Sequence, residues 1–484
     1  MPRALLALLF AAATLSAQDD LDAQLRSFIS AFATASANAA DPIDTQQVFY
    51  TGAIPRLLSR LDPHSVFFDK DQFEQLRRME SSTQKGFGSV VSILPGRVIV
   101  LQTLPGTPSA KAGLSPGDEI LAINGYIIGQ LDLEQLPQLL EASRQRPARL
   151  DVRRPGRAGL LSFTLIPEEM QSASVDRAYF LAAGIGYIRI SSFEEKTAVQ
   201  LKEAVEKLGG DRLAGLVLDL RNNPGGLVTA ALGVSSLFLQ PGSKILTVRG
   251  RHVPESSESV PSIATPYGFK LAILVNEKSA SASEIVSGAM QDHDRATIVG
   301  TATFGKGLVQ SVYPLSEGNG LALTTALYYT PSGRSIQKPL NTRFDLSATT
   351  THPNRQSEFH TDKGRVVTGG GGIQPDYVVY PAPMNRLRAV LDASASFTNF
   401  ATEYLRTHKI ESDFEVTPQL LDQFRLFLSD RQIRPGLSEW LAEGQFVTNR
   451  LKTELFNQAF GVEKGDEVEA QRDPVIQKAL ELVS

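Results

Sequence analysis

From residue 184 onward the chain repeats a strand followed by a helix, and this repeat constrains the fold more than any other feature. The stretch 213–220 is almost entirely apolar, as expected of a strand that other elements cover on both faces. The stretches 185–190, 270–275 and 296–299 also have the composition of short strands. The alternation therefore predicts an α/β core with a largely parallel sheet.

Helices are predicted between these strands. Ser192 and Glu195 form a capping box, which predicts that the first helix begins there. Residues 228–239 and 284–290 form two more predicted helices, each directly after a strand. Residues 308–313 alternate between apolar and polar side chains, which predicts another strand.

The regions on either side of this core differ from it in their pattern of apolar residues. Residues 18–80 have apolar residues at spacings of three and four, which predicts amphipathic helices. Residues 86–166 contain short β-branched runs between glycines and prolines, with one helical stretch over 131–141, so this region is predicted to be rich in strands. Residues 386–484 return to helical periodicity.

The composition excludes several classes of protein. The chain has 484 residues, a net charge of −4 and no cysteine, so a disulfide scaffold, a thiol peptidase and a cysteine-ligated metal site are excluded. The charge balance offers no basic patch for phosphate, so we expect no nucleic-acid partner. No two of the six histidines have the spacing of a helical metal site, and we expect neither a metal nor another cofactor.

The first seventeen residues have the order of a secretory leader. Arg3 is followed by an apolar run over 4–15 and then by small residues up to Ala17, which is the pattern of a signal peptide. The run is too short to span a bilayer, which takes about 20 residues. We therefore expect export, to a periplasm or cell envelope. Leu15 is larger than the residue usually found three positions before a cleavage site, so an uncleaved leader is the alternative.

Ser281 is the sharpest candidate for a nucleophile. It lies where the predicted strand 270–275 leads into a helix, so its hydroxyl can be presented at the carboxyl edge of the sheet. Structural interpretations are equally open at this point, because Ser281 and Glu284 also fit a capping box and Ser279 or Ser283 could cap the same helix.

Lys306 stands between two glycines shortly after another predicted strand. The stretch 300–306 fits part of a phosphate-binding loop, but Gly307 replaces the required serine or threonine and a strand follows where that loop needs a helix. The other interpretation is a buried lysine with a lowered pKa, which acts as a general base. Gln310 is four residues further on and, in a strand, would lie on the same face, where its carbonyl could hold the amine.

The glycine pair Gly225 and Gly226 opens a helix after a strand, so its amides could stabilise an oxyanion, although a simple tight turn explains the glycines equally well. Asp292 is a poor third member of a catalytic set. It is eleven residues beyond Ser281 on one predicted helix, about 16 Å away at 1.5 Å per residue.

Taken together, six motifs resemble those of the C-terminal processing (tail-specific) peptidases, which are serine enzymes with a Ser-Lys pair and a PDZ domain inserted before the catalytic core. The resemblance covers about residues 45–380, and its motifs occur in the family's order. They lie at residues 61–65, 112–118 with 123–125, 219–226, 279–284, 305–307 and 372–376.

The resemblance implies roles for individual residues. It selects Ser281 among the three serines as the nucleophile, because the family separates nucleophile and lysine by 25 positions, as here. Lys306 is then the general base and Gln310 its orienting partner. The implied oxyanion hole uses the amide of Ala282 and one amide of Gly225 or Gly226. In the implied PDZ domain, the loop Gly86-Phe87-Gly88 would receive the carboxylate of a substrate's C-terminus.

The resemblance also implies a fold, namely a crotonase-like α/β catalytic core, with an inserted β-rich PDZ domain and flanking helical regions. From the changes in sequence pattern along the chain we place the domain boundaries as follows: signal peptide 1–17, N-terminal helical region 18–80, PDZ domain 81–168, catalytic core 169–383 and C-terminal helical region 384–484.

The main hypothesis is an exported serine endopeptidase that captures and cleaves protein C-termini. Its partners would be proteins or peptides with free C-termini, and the amphipathic flanking helices favour self-association into a homo-oligomer. The alternative is a non-catalytic envelope adaptor that binds protein tails through its PDZ domain, which leaves the set of Ser281, Lys306 and Gln310 unexplained.

Overall fold

The computed structural model describes residues 22–80, 83–94, 96–131, 135–144, 146–154, 157–171, 173–339 and 358–484. The described residues form two compact units, one of 22–71 with 311–323 and the other of the remaining residues. The expected leader over 1–17 lies outside the described residues. Within these ranges no helix is long and apolar enough to cross a bilayer.

The first unit is mainly helical, which confirms the prediction for this region. Its elements are α1 (22–38), a π-helix (Gln47–Ala53), α2 (Ile54–Leu58) and β1 (Val66–Phe68). The carboxylate of Asp62 accepts the N–H of His64 at 2.7 Å and that of Ser65 at 2.8 Å. This turn directs the chain into β1, which pairs antiparallel with 320–322.

Residues 83–171 form a β-rich module, as predicted. After α3 (Lys70–Glu80), its elements are β2 (Thr83–Gly86), β3 (Ser89–Leu94), β4 (Arg97–Thr103), α4 (Pro108–Ala112), β5 (Glu119–Ile123), β6 (Tyr126–Ile127), α5 (Gln135–Ser143), β7 (Ala148–Arg153), β8 (Leu160–Leu165) and β9 (Glu168–Gln171). The main sheet has the order β3-β4-β5-β7-β8, and β2 pairs with β9. Along β7, Ala148, Leu150 and Val152 are buried while the residues between them are not, so one face of the sheet forms the core.

The α/β core has a second, largely parallel sheet. In chain order the elements are β10 (Val175–Ala182), β11 (Ile185–Ile190), α6 (Thr197–Lys207), β12 (Gly215–Asp219), α7 (Val228–Ser236), β13 (Lys244–Arg249), β14 (Ser256–Ser259), β15 (Lys270–Val275), α8 (Ala282–Asp292), β16 (Thr297–Gly300), β17 (Leu308–Pro314), β18 (Gly320–Tyr329), β19 (Glu358–His360), β20 (Val366–Thr368) and β21 (Tyr377–Val378). The sheet order is β10-β11-β12-β15-β16-β21, and only the pairing of β10 with β11 is antiparallel among these strands.

The apolar character of these strands follows from their coverage on both faces. In β15, Leu271, Ile273 and Val275 pack with α6, α7 and α8, whereas Ala272 and Leu274 face the opposite way. All five residues of β12 are buried. A strand in this position has no solvent face, so its sequence does not alternate with polar residues.

Residues 386–484 are mainly helical, which confirms the prediction for these residues. The helices are α9 (Arg386–Ala393), α10 (Ser396–Leu405), α11 (Pro418–Asp430), α12 (Leu437–Ala442), α13 (Gly444–Phe460), α14 (Val462–Ala470) and α15 (Pro474–Val483). Helices α9 to α13 share an apolar core of their own. Helix α15 instead covers the second face of the core sheet, where Ile476 and Ala479 pack with Val217 and Leu274.

The predicted start of the first core helix is wrong. Helix α6 begins at Thr197, and Ser192 hydrogen-bonds Glu194 rather than capping the helix. The reason is that Phe193 forms a parallel bridge with Gly226, which keeps the chain extended past Ser192. Thr197 then accepts the N–H of Glu194 at 2.8 Å and closes the turn before the helix.

Candidate active site

The candidate residues lie on loops at one edge of the core sheet. The loops after β12, β15 and β16 carry the Gly225-Gly226 turn, Ser281 and Lys306 respectively. These strands are neighbours and run parallel, so their carboxyl ends meet at the same edge. In open parallel sheets this edge is where ligands bind.

The structure separates Ser281 from the other two serines of its motif. Ser279 and Ser283 are fully buried, and their hydroxyls donate to the carbonyls of Leu220 at 2.8 Å and Asn223 at 3.0 Å. Both hydroxyls therefore hold this loop against the one after β12. Ser281 is partly exposed and can meet a substrate.

The backbone at Ser281 has an unusual conformation. Ser281 is the N-cap of α8 and has φ 54° and ψ −112°, a region that residues other than glycine rarely adopt. Such conformations cost about 1–3 kcal/mol and cluster at functional sites, where the surrounding structure enforces them. The turn thus presents one side chain between a buried strand and a buried helix.

Lys306 is held by the glutamine that the sequence singled out. The Lys306 amine donates to Oε1 of Gln310 at 2.9 Å, and both side chains are partly buried. The expectation that both residues lie on one strand is wrong, because β17 begins at Leu308 and Lys306 precedes it. The contact forms from the loop into the strand, rather than between two residues on one strand face.

Glycines fix the path of the lysine loop. Gly305 has φ +88°, and a Cβ there would meet Cγ of Lys338 at 2.6 Å. The N–H of Gly307 donates to Oε1 of Gln337 at 2.8 Å. The loop then continues as a strand, where a phosphate-binding loop requires a helix.

Glu284 has more contacts than the helix cap that the sequence predicts. Its carboxylate accepts the N–H of Ser281 at 2.9 Å, as a capping box requires. It also accepts the N–H groups of Gly305 at 2.7 Å and Lys306 at 2.9 Å, and the hydroxyl of Thr303 at 2.5 Å. Burial raises the pKa of Glu284, and these four hydrogen bonds oppose the rise.

The glycine turn after β12 lies directly against the Ser281 turn. A Cβ on Gly225 would meet the carbonyl oxygen of Ala280 at 2.7 Å, Cβ of Ser281 at 2.8 Å and the nitrogen of Ala282 at 3.0 Å. The N–H of Gly225 already donates to Oδ1 of Asn223 at 2.8 Å. Within the described part of the chain, the N–H groups of Gly226 and Ala282 have no acceptor.

Asp292 lies at the far end of α8 and binds a different partner. It pairs with Arg334 at 2.7 Å, and both side chains are almost completely buried. Its second oxygen accepts the N–H of Ser332 at 3.0 Å. The residue therefore joins the helix end to the turn after β18.

The segment Gly86-Phe87-Gly88 lies in the β-rich module and runs from the last residue of β2 to the residue before β3. Its carbonyls are used internally, since Phe87 accepts from Ser109 at 2.9 Å and Gly88 accepts from Leu104 at 2.8 Å. Gly88 has φ +73°, and a Cβ there would overlap Thr107. The loop conformation therefore requires glycine at this position.

A cleft of about 520 Å³ opens at the same sheet edge. In it the guanidinium of Arg221 binds the buried carboxylate of Asp219 at 2.6 Å and that of Asp473 at 2.6 Å. The link holds the end of β12 to the start of α15. The sequence motif contains Asp219 and Arg221, but nothing in the sequence identifies Asp473 as their partner.

No group of three or more metal-ligating side chains is found within the described ranges. His293, for example, contacts the carboxylate of Asp362 and the carbonyl of Lys244, both at 2.7 Å. The chemistry that the described geometry offers is that of a hydroxyl, an amine and backbone amides, which is the set that acyl transfer by a serine nucleophile needs.

Comparison with known proteins agrees with this chemistry. Residues 184–345 match peptidase family S41, and residues 99–154 match a PDZ domain. A carboxy-terminal-processing protease of Bartonella bacilliformis is 38% identical over 300 residues, which are 61% of this chain and 68% of that protein.

Two further relatives have similar coverage. A carboxyl-terminal-processing protease of Synechocystis is 34% identical over 304 residues, 61% of this chain and 70% of that protein. The carboxy-terminal processing protease CtpB of Bacillus subtilis is 30% identical over 331 residues, 67% and 68% of the two chains. The chain therefore belongs to the C-terminal processing peptidases of family S41, and it is a serine-type peptidase.

Proposed function

We propose that the protein is an endopeptidase that cleaves protein C-terminal tails with Ser281 as the nucleophile and Lys306 as the general base. The observation that carries the proposal is the fixed lysine: Lys306 lies on the loop that Glu284 joins to the Ser281 turn, and Gln310 of β17 accepts a hydrogen bond from its amine. Oε1 of Gln310 is an acceptor, so one N–H bond of the Lys306 amine is directed at Gln310 and the orientation of the amine is restricted.

The proposed reaction follows acyl transfer. The neutral amine of Lys306 takes the proton of the Ser281 hydroxyl as Oγ attacks the scissile carbonyl, and the tetrahedral intermediate carries the negative charge on its oxygen. Lys306 then gives the proton to the leaving amine as the C–N bond breaks. A water molecule then gives a proton to Lys306 as its oxygen attacks the acyl ester, the bond between the acyl carbon and Oγ breaks, and Lys306 returns the proton to Oγ of Ser281.

For the oxyanion hole we favour the amides of Ala282 and Gly226. Ala282 is the first residue of α8, so its N–H is one of those that a helix start leaves unpaired. The N–H of Gly225 is engaged by Asn223, which favours Gly226 of the two glycines. Gly225 then supplies the close approach, since its missing Cβ lets the turn lie against Ser281.

Recognition of the substrate tail is assigned to the PDZ domain. The amides of Gly86, Phe87 and Gly88 precede β3, the edge strand of its sheet, which is the arrangement that receives a terminal carboxylate and adds an extended peptide to the sheet. The relatives are named for carboxy-terminal processing, which supports this substrate class.

The finer expectations about fold, location and assembly are part of the same proposal. A parallel sheet with Ser281 and the oxyanion turn at its carboxyl edge supports a crotonase-like core. Export to the periplasm or cell envelope is supported by the leader-like residues 1–17. Self-association is supported by exposed apolar side chains on the first unit, among them Ile29 and Leu57.

The test compares wild type with Ser281→Ala and Lys306→Ala on peptides that have free, apolar C-termini. Each substitution should lower kcat/KM by at least about 10³-fold, because members of such a set act as a unit. Ser262→Ala and Lys207→Ala change exposed residues outside the site and serve as controls. Undiminished cleavage by either site variant contradicts the assignment. Tail binding without hydrolysis by wild type would favour the adaptor alternative.

A further inference from the structure

Tyr328 contacts both proposed catalytic loops from the buried side. It lies in β18 and is only 2% exposed. Its hydroxyl is 3.0 Å from the carbonyl oxygen of Lys306 and 3.2 Å from that of Ser281. One proton is thus shared between the two carbonyls, in a place that water does not reach.

Glu284 contacts the same two residues through their N–H groups. A single carboxylate oxygen, Oε2, accepts from Ser281 and from Lys306, each at 2.9 Å. The other oxygen accepts from Gly305 and Thr303. An ionised carboxylate offers about four acceptor positions, and all four have donors here.

We infer that Glu284 and Tyr328 are positioning residues, which set the Lys306 amine relative to the Ser281 hydroxyl by holding the two backbones together. The inference rests on the proposed Ser281–Lys306 mechanism. Ser281 and Lys306 are 25 positions apart on separate loops, so local chain geometry alone does not fix their relative position. Glu284 binds both at the N–H, and Tyr328 binds both at the C=O.

The chemistry of the two side chains suits this role. Burial raises the pKa of Tyr328 well above its usual value, and the charge of Glu284 adds to the rise, so the hydroxyl keeps its proton. Tyr328 therefore remains a donor to carbonyls. Hydrogen bonds in such a low-dielectric interior are stronger than in water and resist rearrangement.

The competing explanation is that both residues only stabilise the fold. Glu284 would then be a helix cap and Tyr328 a core aromatic residue with a satisfied hydroxyl. The two explanations differ in what they predict for kinetics. A stability defect lowers the amount of active enzyme, whereas a displaced lysine lowers kcat per folded molecule and changes its pH dependence.

The first variant is Tyr328→Phe, which removes one oxygen and keeps the buried ring. We expect kcat to fall about 10- to 100-fold with KM within about twofold, since a misplacement on the order of 1 Å can cost about 100-fold. The matched control is Tyr267→Phe, which removes the hydroxyl of another buried tyrosine of the same apolar core, one that donates to Glu206 at 2.5 Å. Its kcat should equal that of wild type.

The second variant is Glu284→Gln, which separates capping from positioning. Glutamine serves a capping box as well as glutamate does, but it has a single acceptor oxygen for the four donors. We expect a fall in kcat at least as large as for Tyr328→Phe, and a midpoint of the acidic limb of kcat/KM shifted to lower pH, because a buried negative charge favours a protonated lysine. Glu454→Gln, another buried glutamate, is the control.

Thermal unfolding and circular dichroism establish the folded fraction of each variant. If Ser281→Ala is inactive but Tyr328→Phe and Glu284→Gln match their controls in kcat per folded enzyme, the positioning role is wrong and the proposed mechanism stands. If Ser281→Ala remains active, the mechanism itself is wrong. If Glu284→Gln does not fold, Tyr328→Phe alone decides.

Discussion

Replacing Gly225 by alanine should disable the enzyme while leaving most of the fold intact. Gly225 has φ +102°, and an added Cβ would lie 2.7 to 3.0 Å from atoms of Ala280, Ser281 and Ala282. Carbon atoms in ordinary contact are separated by about 3.5–4.0 Å, so the Gly225 turn and the Ser281 turn must move apart by about 0.7 Å or more. The movement is one of the backbone, since two of the three contacted atoms are backbone atoms.

This displacement changes the distance between the proposed nucleophile and the proposed oxyanion donors. A shift on the order of 1 Å at such a site can lower the rate about 100-fold, and we expect kcat to fall by about 10- to 100-fold. The backbone conformation adds a separate cost, since an alanine at positive φ is disfavoured by roughly 1–2 kcal/mol.

The control is Gly242→Ala, which isolates the conformational cost. Gly242 has φ +83°, and an added Cβ there meets nothing within 4 Å. It should lower the free energy of unfolding by roughly 1–2 kcal/mol and leave kcat unchanged. The assay is steady-state cleavage of a tail peptide, together with urea unfolding of both variants. Equal kcat for Gly225→Ala and wild type would refute the placement of this turn against the reacting atoms.

Two further predictions concern charges away from the reacting atoms. Arg334→Met leaves Asp292 buried without its partner and should lower the free energy of unfolding by about 3–5 kcal/mol. Lys111→Met removes an ion pair whose side chains are 58% and 50% exposed, and it should lower the free energy of unfolding by at most about 1 kcal/mol. Equal losses for the two variants in urea unfolding would contradict this prediction. Burial raises the pKa of Glu119, but hydrogen bonds from Arg97 and Arg153 outweigh it and hold the pKa below its usual value. The stabilisation of the fold by the ionised Glu119 is therefore present at neutral pH and lost as pH falls through that pKa. The difference in unfolding midpoint between wild type and Glu119→Gln should accordingly shrink from about pH 7 to about pH 3, and a constant difference would refute this.

The core strands could be predicted closely from the sequence. The predicted spans 185–190 and 270–275 coincide with β11 and β15. Each is a short, mostly apolar run that contains β-branched residues, so its type is marked locally. The contact between Lys306 and Gln310 could also be predicted from the sequence, because the two residues are only four positions apart in the chain.

Contacts between distant segments could not be predicted in this way. The pattern of α15 predicts an apolar face but not which surface it covers, and the structure has it on the core sheet rather than with the helices that precede it. Tyr328 is 47 positions from Ser281, and nothing around it in the sequence differs from an ordinary buried strand residue. Its role depends on a hydroxyl whose partners only the fold brings together.

Glu284 shows why capping and catalysis need not be alternatives at this serine. A capping box requires the N-cap N–H to meet the glutamate carboxylate, and that requirement fixes the backbone of Ser281. Since the same oxygen also accepts the N–H of Lys306, the interaction that starts the helix also determines where the lysine loop begins its approach. A shorter carboxylate at this position could still favour the helix start electrostatically, but it could not reach both loops. The length of the side chain therefore matters for the position of the lysine loop.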